Sequence, residues 1–277
     1  MYKPPENKLP INDFFGWKHH PFADTHIQKR RFMPNKDQKY IETIKRLLHN
    51  GKSVAVCGPS GSGKTTFVHT LVGDLDKNAY RPVLIPYAGH PRNGFTKVLA
   101  EALGVEVKGR GLPLITRIQQ HIETMITGSN PHHPVMIIDD AQRVENDSLW
   151  DLCSLLFQAV KQTAAASLIL VGDETLAKRL ELHIMTPIRS RLTSVMKMAP
   201  LTEEDAISFI RNRLENAGAS SDLFDQDALA IIAAHTRGNR RMIMNTATLV
   251  LEEAYYRQEK TITAESIYSS EWFNESE

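Results

Sequence analysis

One eight-residue run constrains this chain more than any other: "GPSGSGKT", Gly58 to Thr65. It fits the pattern Gly-x4-Gly-Lys-Ser/Thr. It follows the apolar, β-branched "KSVAVCG" and opens "GKTTFVHTLVGDL", which reads as a helix. Strand, loop and helix in that order are the setting the pattern requires. The glycines let the backbone curl until successive N–H groups point at one small volume, and the helix N-terminus adds partial positive charge there. Such a cradle accepts phosphate oxygens. Its expected residues are Gly58, Pro59, Ser60, Gly61, Ser62, Gly63, Lys64, Thr65 and Thr66. Lys64 is placed to reach the β- and γ-phosphates of a nucleotide, and Thr65 to offer its hydroxyl to Mg²⁺. The competing reading is a glycine-rich turn that matches by chance.

The rest of the chain agrees with an α/β fold. "NKDQKYIETIKRLLHNG" reads as a helix with Ile41, Ile44, Leu47 and Leu48 on one stripe and Gly51 as its stop. "RPVLIPYA" is a second strand, "GFTKVLAEALG" a helix, and "LITRIQQHIETMIT" another, with Leu114, Ile118, Ile122, Met125 and Ile126 facing the core. "PVMIIDD" is a third strand, "SLWDLCSLLFQAVKQTA" a helix and "ASLILVGD" a fourth strand. Near-continuous apolar strands alternating with helices predict a parallel sheet covered on both faces. After Leu201 only helical periods remain: Thr202 with Asp205 makes one cap, and "TITAESIYSS" carries another cap signal. The expected organisation is an N-terminal arm, aromatic lead-in and first helix over 1–50, a nucleotide-binding α/β domain over 51–200, and a small all-helical domain over 201–277. Residues 1 to about 13 read as a flexible arm, and "FFGWKHHPF" as a packed, irregular lead-in.

With the phosphate loop in place, "VMIIDD" becomes the other half of a site. Asp139 at the strand end is expected to hold Mg²⁺, and Asp140 to orient or deprotonate a water. Both acids also suit a helix cap. The next strand end offers Asp173 or Thr175 as a sensor of nucleotide state, without a choice between them. Two arginine clusters follow, Arg189 with Arg191 in "PIRSRL" and Arg237, Arg240 and Arg241 in "RGNRRMIMN". Such clusters are commonly solvated faces.

Composition narrows the partners. A formal net charge of +1 excludes a global basic field, although a local basic surface remains open. The two cysteines, Cys57 and Cys153, sit in apolar runs and read as reduced core residues, too few for a thiolate zinc site. The pairs His19-His20 and His132-His133 read as surface residues beside prolines. No run approaches the roughly 20 apolar residues that span a bilayer, and "MYKPPENKLP" lacks a signal-peptide core, so a cytoplasmic protein is expected.

From Phe14 to Ile267 the chain resembles the AAA+ ATPases. "GPSGSGKT" and "MIIDDAQ" look like the Walker A and Walker B motifs. "IRSRL" is similar to the Ser-Arg-Cys motif of clamp loaders, and "GNRRMI" to the Gly-Asn-x-Arg sensor-two motif. The resemblance implies a P-loop AAA+ domain, a parallel sheet sandwiched by helices, followed by a helical lid. It implies ATP and Mg²⁺ as cofactors. Arg191, or next Arg189, would act on a neighbouring subunit's nucleotide, and Arg241 from the lid. Within AAA+, "FFGWKHHPF" followed by "RRFMPNKDQKYIETIKRLL" is similar to the entry segment of ExeA-type ATPases, a group that includes the TniB, TnsC and MuB transposition ATPases. The sequence stops after the lid, and this favours the mobile-element branch.

That branch implies a regulator of transposition that forms a homo-oligomeric ring or helical filament on duplex DNA with ATP, and recruits or activates a transposase. The loops after the second strand would face DNA, with Arg92, Lys108 and Arg110 as phosphate contacts that position without reading sequence. Ordinary solvated loop charges are the alternative for these three. Two further functions stay open: a secretion or envelope ATPase of ExeA type, and a nucleotide-gated scaffold with little turnover. Two residues depart from the family pattern. Asp140 stands where Glu is usual, and Asp173 where sensor one is usually Asn, Ser or Thr. A side chain one methylene short loses roughly 1–1.5 Å of reach, and a base misplaced by about that much costs on the order of a hundredfold in rate. Slow basal hydrolysis is therefore expected.

Overall fold

The computed structural model of the 277-residue chain describes residues 9–25, 31–86, 92–108, 111–158 and 163–270. They form two compact units, one of the described residues within 35–199 and one of those within 9–34 and 200–270. The stretch expected as a single lead-in over 1–50 is thus divided. Its first part belongs with the helical residues and its helix with the α/β residues.

In the helical unit α1 (Ile11–Phe15) ends at Gly16, whose φ of 72° is the left-handed turn a glycine allows. Residues 9–13, expected in a flexible arm, are therefore ordered in part as helix. The Tyr255 hydroxyl donates to the Leu9 carbonyl at 2.7 Å, and the Phe14 and Tyr255 rings meet edge to face.

The α/β unit begins with α2 (Asn35–His49), and the order then runs β1 (Ser53–Cys57), α3 (Lys64–Asp74), β2 (Tyr80–Pro86), α4 (Arg92–Leu103), α5 (Leu114–Thr127), β3 (His133–Asp139), α6 (Asn146–Leu155), β4 (Phe157–Gln158), β5 (Thr163–Ala164), β6 (Ser167–Gly172), α7 (Glu174–Leu180), α8 (Thr186–Arg189) and β7 (Leu192–Lys197). Five strands make one parallel sheet in the order β2-β3-β6-β1-β7. The inner strands β1, β3 and β6 are nearly all apolar because both their faces are buried, while the edge strands β2 and β7 carry exposed polar residues such as Arg81 and Lys197. Met136, Ile138, Leu168 and Leu170 point into a core shared with Phe95, Leu99, Ile118, Ile122, Leu149 and Leu152 of α4, α5 and α6. Their alternates Val135, Ile137, Ile169 and Val171 are buried on the opposite face. Strand β1 lies inside the sheet between β6 and β7 and feeds the phosphate loop into α3, so the loop sits beside the carboxyl ends of β6 and β3.

Two sequence expectations are corrected here. The helix foreseen through "FQAVKQTA" stops at Leu155, and Phe157–Gln158 pairs antiparallel with Thr163–Ala164. The Leu156 carbonyl accepts from the Ala165 N–H at 2.9 Å, which takes the acceptor a continuing helix would need. His133 is no surface loop residue: it opens β3 half-buried, with its Nε2 2.8 Å from the Ser167 hydroxyl, and burial lowers its pKa.

The helical unit is completed by α9 (Glu203–Ala217), α10 (Gln226–His235), α11 (Arg240–Arg257) and α12 (Ala264–Tyr268). Thr202, Asp225, Asn239 and Thr263 cap them, Thr263 in a reciprocal box with Ser266. Trp17 and Phe22 of the lead-in are buried among Phe209, Leu214, Phe224 and Leu251. The buried Arg213 fixes that segment by donating to the Ala23 carbonyl at 3.0 Å. Gly238, at φ 70°, has no room for a side chain: a Cβ would lie 1.9 Å from the Leu201 carbonyl oxygen. Gly238→Ala is expected to destabilise this unit by about 2 kcal/mol or more, through a φ that L side chains rarely adopt and a backbone clash. Thermal unfolding with the wild-type midpoint would contradict that packing. Among the described residues, no helix is long and apolar enough to cross a membrane.

Candidate nucleotide site

The phosphate loop is shaped by its glycines. Gly61 and Gly63 take φ values of 78° and 90°, which side chains resist. Gly58 is buried, and a Cβ there would come within 2.7 Å of the Met198 carbonyl oxygen. Its N–H donates to the Gly172 carbonyl at the end of β6 at 3.2 Å. Ser60 is exposed and Pro59 half-buried along the rim, while the Ser62 hydroxyl is buried with no hydrogen-bond partner among the described residues. An orphaned hydroxyl inside a loop of curled N–H groups fits an anion with oxygens to spare.

Lys64 opens α3 and folds back over the loop. Its Nζ donates to the carbonyls of Gly58 (2.9 Å) and Pro59 (3.0 Å). Burial pushes its pKa below the usual lysine value, against the pull of the Asp139, Asp173 and Asp140 carboxylates. The ammonium is thus held close to three acids from two strand ends. The Thr65 hydroxyl points at Asp139, 3.4 Å from Oδ2. A hydroxyl and a carboxylate side by side at a phosphate cradle form a suitable donor set for Mg²⁺. Thr66 is exposed on the first turn and gives its carbonyl to the Thr70 hydroxyl. Beneath the loop, burial pushes the Cys57 thiol up to about 11 despite nearby Lys64, so it stays protonated and inert.

Asp140 has left-handed backbone, φ 52° and ψ 37°, and its N–H donates to Asp139 Oδ1 at 3.0 Å. It stands at the N-cap position of the short 3-10 turn Ala141–Arg143, yet its side chain caps no backbone N–H there. Its Oδ1 accepts from Gln142 Nε2 at 3.0 Å. Asp173 is the true cap. Its Oδ1 accepts from the amides of Thr175 and Leu176 and from the Thr175 hydroxyl. Burial would raise its pKa, but those hydrogen bonds and Lys64 hold the carboxyl below its usual range. The two sensor-one candidates are therefore bonded to each other. Gln142 and Arg179 were missed in the sequence. Gln142 links the ends of β3 and β6, and Arg179 donates to the Gln142 carbonyl and to the Asn146 side chain. The only sequence signal for Gln142 was a polar residue two positions after the acid pair.

Of the other expected residues, Arg189, Arg191 and Lys108 belong to other elements of the α/β unit, Arg241 belongs to the helical unit, and the rest lie outside what is described. Arg189 is exposed at the end of α8 and donates to the Leu192 carbonyl at 3.1 Å. Arg191 is exposed just before β7, near Cys153. Arg241 is exposed on the first turn of α11 in the helical unit, where Asn239 accepts from its N–H at 3.1 Å. Lys108 is exposed after α4. Arg110 and the Arg92 side chain lie outside the described residues; only the backbone of Arg92 is placed, as the first residue of α4.

The parallel sheet, the cradle at the end of β1 and the acids beside it make the arrangement of a phosphate-binding α/β domain. Residues 46–180 match the family model described as an AAA domain. General secretion pathway protein A of Aeromonas hydrophila is 22% identical over 262 residues, covering 87% of this chain and 48% of that protein. The chain thus spans about half the length of that relative. Among solved structures, Cdc6p of Pyrobaculum aerophilum superposes with a TM-score of 0.70 at 20% identity, over 90% of this chain and 69% of that one. The ORC1 protein of Aeropyrum pernix, solved in complex with DNA, gives 0.63 at 17% identity, over 90% and 67%. At these identities the structural likeness speaks for the fold.

Proposed function

We propose that this chain is an ATP- and Mg²⁺-dependent AAA+ regulator that assembles on duplex DNA and acts there on a transposase. The observation that carries the nucleotide part is the convergence of Lys64, Thr65, Asp139 and Asp140 on one phosphate cradle. The loop N–H groups and Lys64 bind the phosphates, and Thr65 with Asp139 holds the metal. Mg²⁺ supplies charge to neutralise the β- and γ-oxygens. Asp140 accepts a proton from the water that attacks the γ-phosphorus. The bond to the bridging oxygen breaks, and ADP and phosphate leave. Arg191, with Arg189 beside it, serves the nucleotide of a neighbouring subunit, and Arg241 is the helical unit's candidate for the same task, so turnover needs the assembly.

The DNA part is supported by the likeness to the ORC1 protein solved with DNA, and the transposition part by the lead-in resemblance. Lys108, with Arg92 and Arg110, supplies weak phosphate contacts that sum when ATP assembles many copies. Electron microscopy with duplex DNA and a non-hydrolysable ATP analogue is expected to show a ring or filament on the DNA. No such assembly under any nucleotide would overturn the DNA reading. That result would favour a second reading, an envelope ATPase, which the similarity to General secretion pathway protein A supports. Single-turnover hydrolysis with and without DNA separates an ATPase from a scaffold that only holds ATP.

A further inference from the structure

We propose that Gln142 is a positioning residue for ATP hydrolysis, holding the Asp140 carboxylate by one end of its amide and the head of α7 by the other. Nε2 donates to Asp140 Oδ1 at 3.0 Å, and Oε1 accepts from the Asp173 N–H at 3.3 Å. The orientation of the amide follows from its partners. A flipped amide would set its oxygen against a carboxylate and its NH₂ against an N–H. The inference rests on the reading of Asp140 as the group that takes the proton.

Three neighbours show that this bridge is built into the fold. At Gly172, the last residue of β6, the space a Cβ would take is filled by Gln142 Oε1 at 2.6 Å and by the Leu176 side chain at 2.7 and 2.9 Å. Arg179 of α7 grips the backbone of the same residue, donating from Nη1 to the Gln142 carbonyl at 3.0 Å. Asp173, whose N–H the bridge engages, caps α7 and takes part in the field around Lys64. Asp140 is exposed, short for its task and on left-handed backbone. Without a partner its carboxylate would sample several rotamers. The Gln142 amide selects one and references it to the strand end that borders the phosphate loop. An amide suits this better than a carboxylate or an ammonium, because one side must donate to an acid while the other accepts from an N–H.

The test uses the full chain, single-turnover ATP hydrolysis and separate measurement of ATP affinity. Gln142→Met keeps the side-chain length and removes both hydrogen bonds. It is expected to lower the rate about tenfold, less than the roughly hundredfold cost of moving a base by a full ångström, with ATP affinity changed less than threefold. On an Asp140→Asn background the same change is expected to remove less than a further twofold, because the residue it positions is already disabled. A wild-type rate in Gln142→Met overturns the proposal, as does an undiminished tenfold loss on the Asp140→Asn background. A merely structural role would lower affinity and rate together. Asp140→Asn hydrolysing at the wild-type rate defeats instead the reading of Asp140 itself, whatever Gln142 does.

Discussion

Lys64→Ala is expected to weaken ATP binding about a hundredfold and leave the fold standing. The ammonium is half-buried, and its bonds to the Gly58 and Pro59 carbonyls are the ones phosphate oxygens would replace. Charge-assisted contacts of this kind contribute about 1.5–3 kcal/mol each, and 1.4 kcal/mol is tenfold in affinity. Removing the cation also leaves Asp139, Asp173 and Asp140 around the cradle without the charge that offsets them, so an incoming anion meets net repulsion. The structural loss is smaller, two hydrogen bonds at a site open to water, on the order of 1 kcal/mol. Titration with a fluorescent ATP analogue reads the effect directly. A variant that binds as tightly as the wild type would remove the phosphate assignment.

The second large effect lies in turnover. Asp140→Asn is expected to cut single-turnover hydrolysis by about two orders of magnitude, the usual contribution of a positioned base, while ATP affinity stays near wild type. The backbone makes this a clean comparison. Asn tolerates the left-handed conformation as readily as Asp, and the Asp140 side chain caps no helix that the change would fray. Loss of rate therefore reports chemistry and not unfolding. The basal rate of the unmodified chain is expected to be slow, because the carboxylate sits one methylene short. Asp140→Glu extends it and should raise the basal rate, less the strain a longer side chain bears at φ 52°. Fast basal turnover without any partner, or Asp140→Asn at full rate, would contradict the assignment.

The parts of the fold legible in the sequence were those governed by local pattern. The phosphate loop, the buried strands Ser53–Cys57 and Ser167–Gly172, and the Thr202 cap each declare themselves within a few neighbouring residues. The β4–β5 pairing did not, because it depends on Ala165 bonding to Leu156, far along the chain for a local pattern. Gln142 was hidden for a similar reason. Its meaning depends on Gly172 and Asp173, thirty-odd positions later, which adjoin it only once β3 and β6 pair. The ordering of Ile11–Phe15 was equally nonlocal, since its partner Tyr255 stands near the other end of the chain.

The lead-in residues Trp17 and Phe22 are buried among side chains that follow Pro200. Because the chain is made from the N-terminus, these aromatics emerge from the ribosome long before the helices that cover them. The entire α/β unit is synthesised in between. Loop-closure entropy rises only slowly with the length of an intervening flexible chain, and an α/β unit that has already folded is a far shorter tether than the same residues unfolded. The order of synthesis thus lets the nucleotide-binding half fold first and bring the two separated pieces of the helical half within reach of each other.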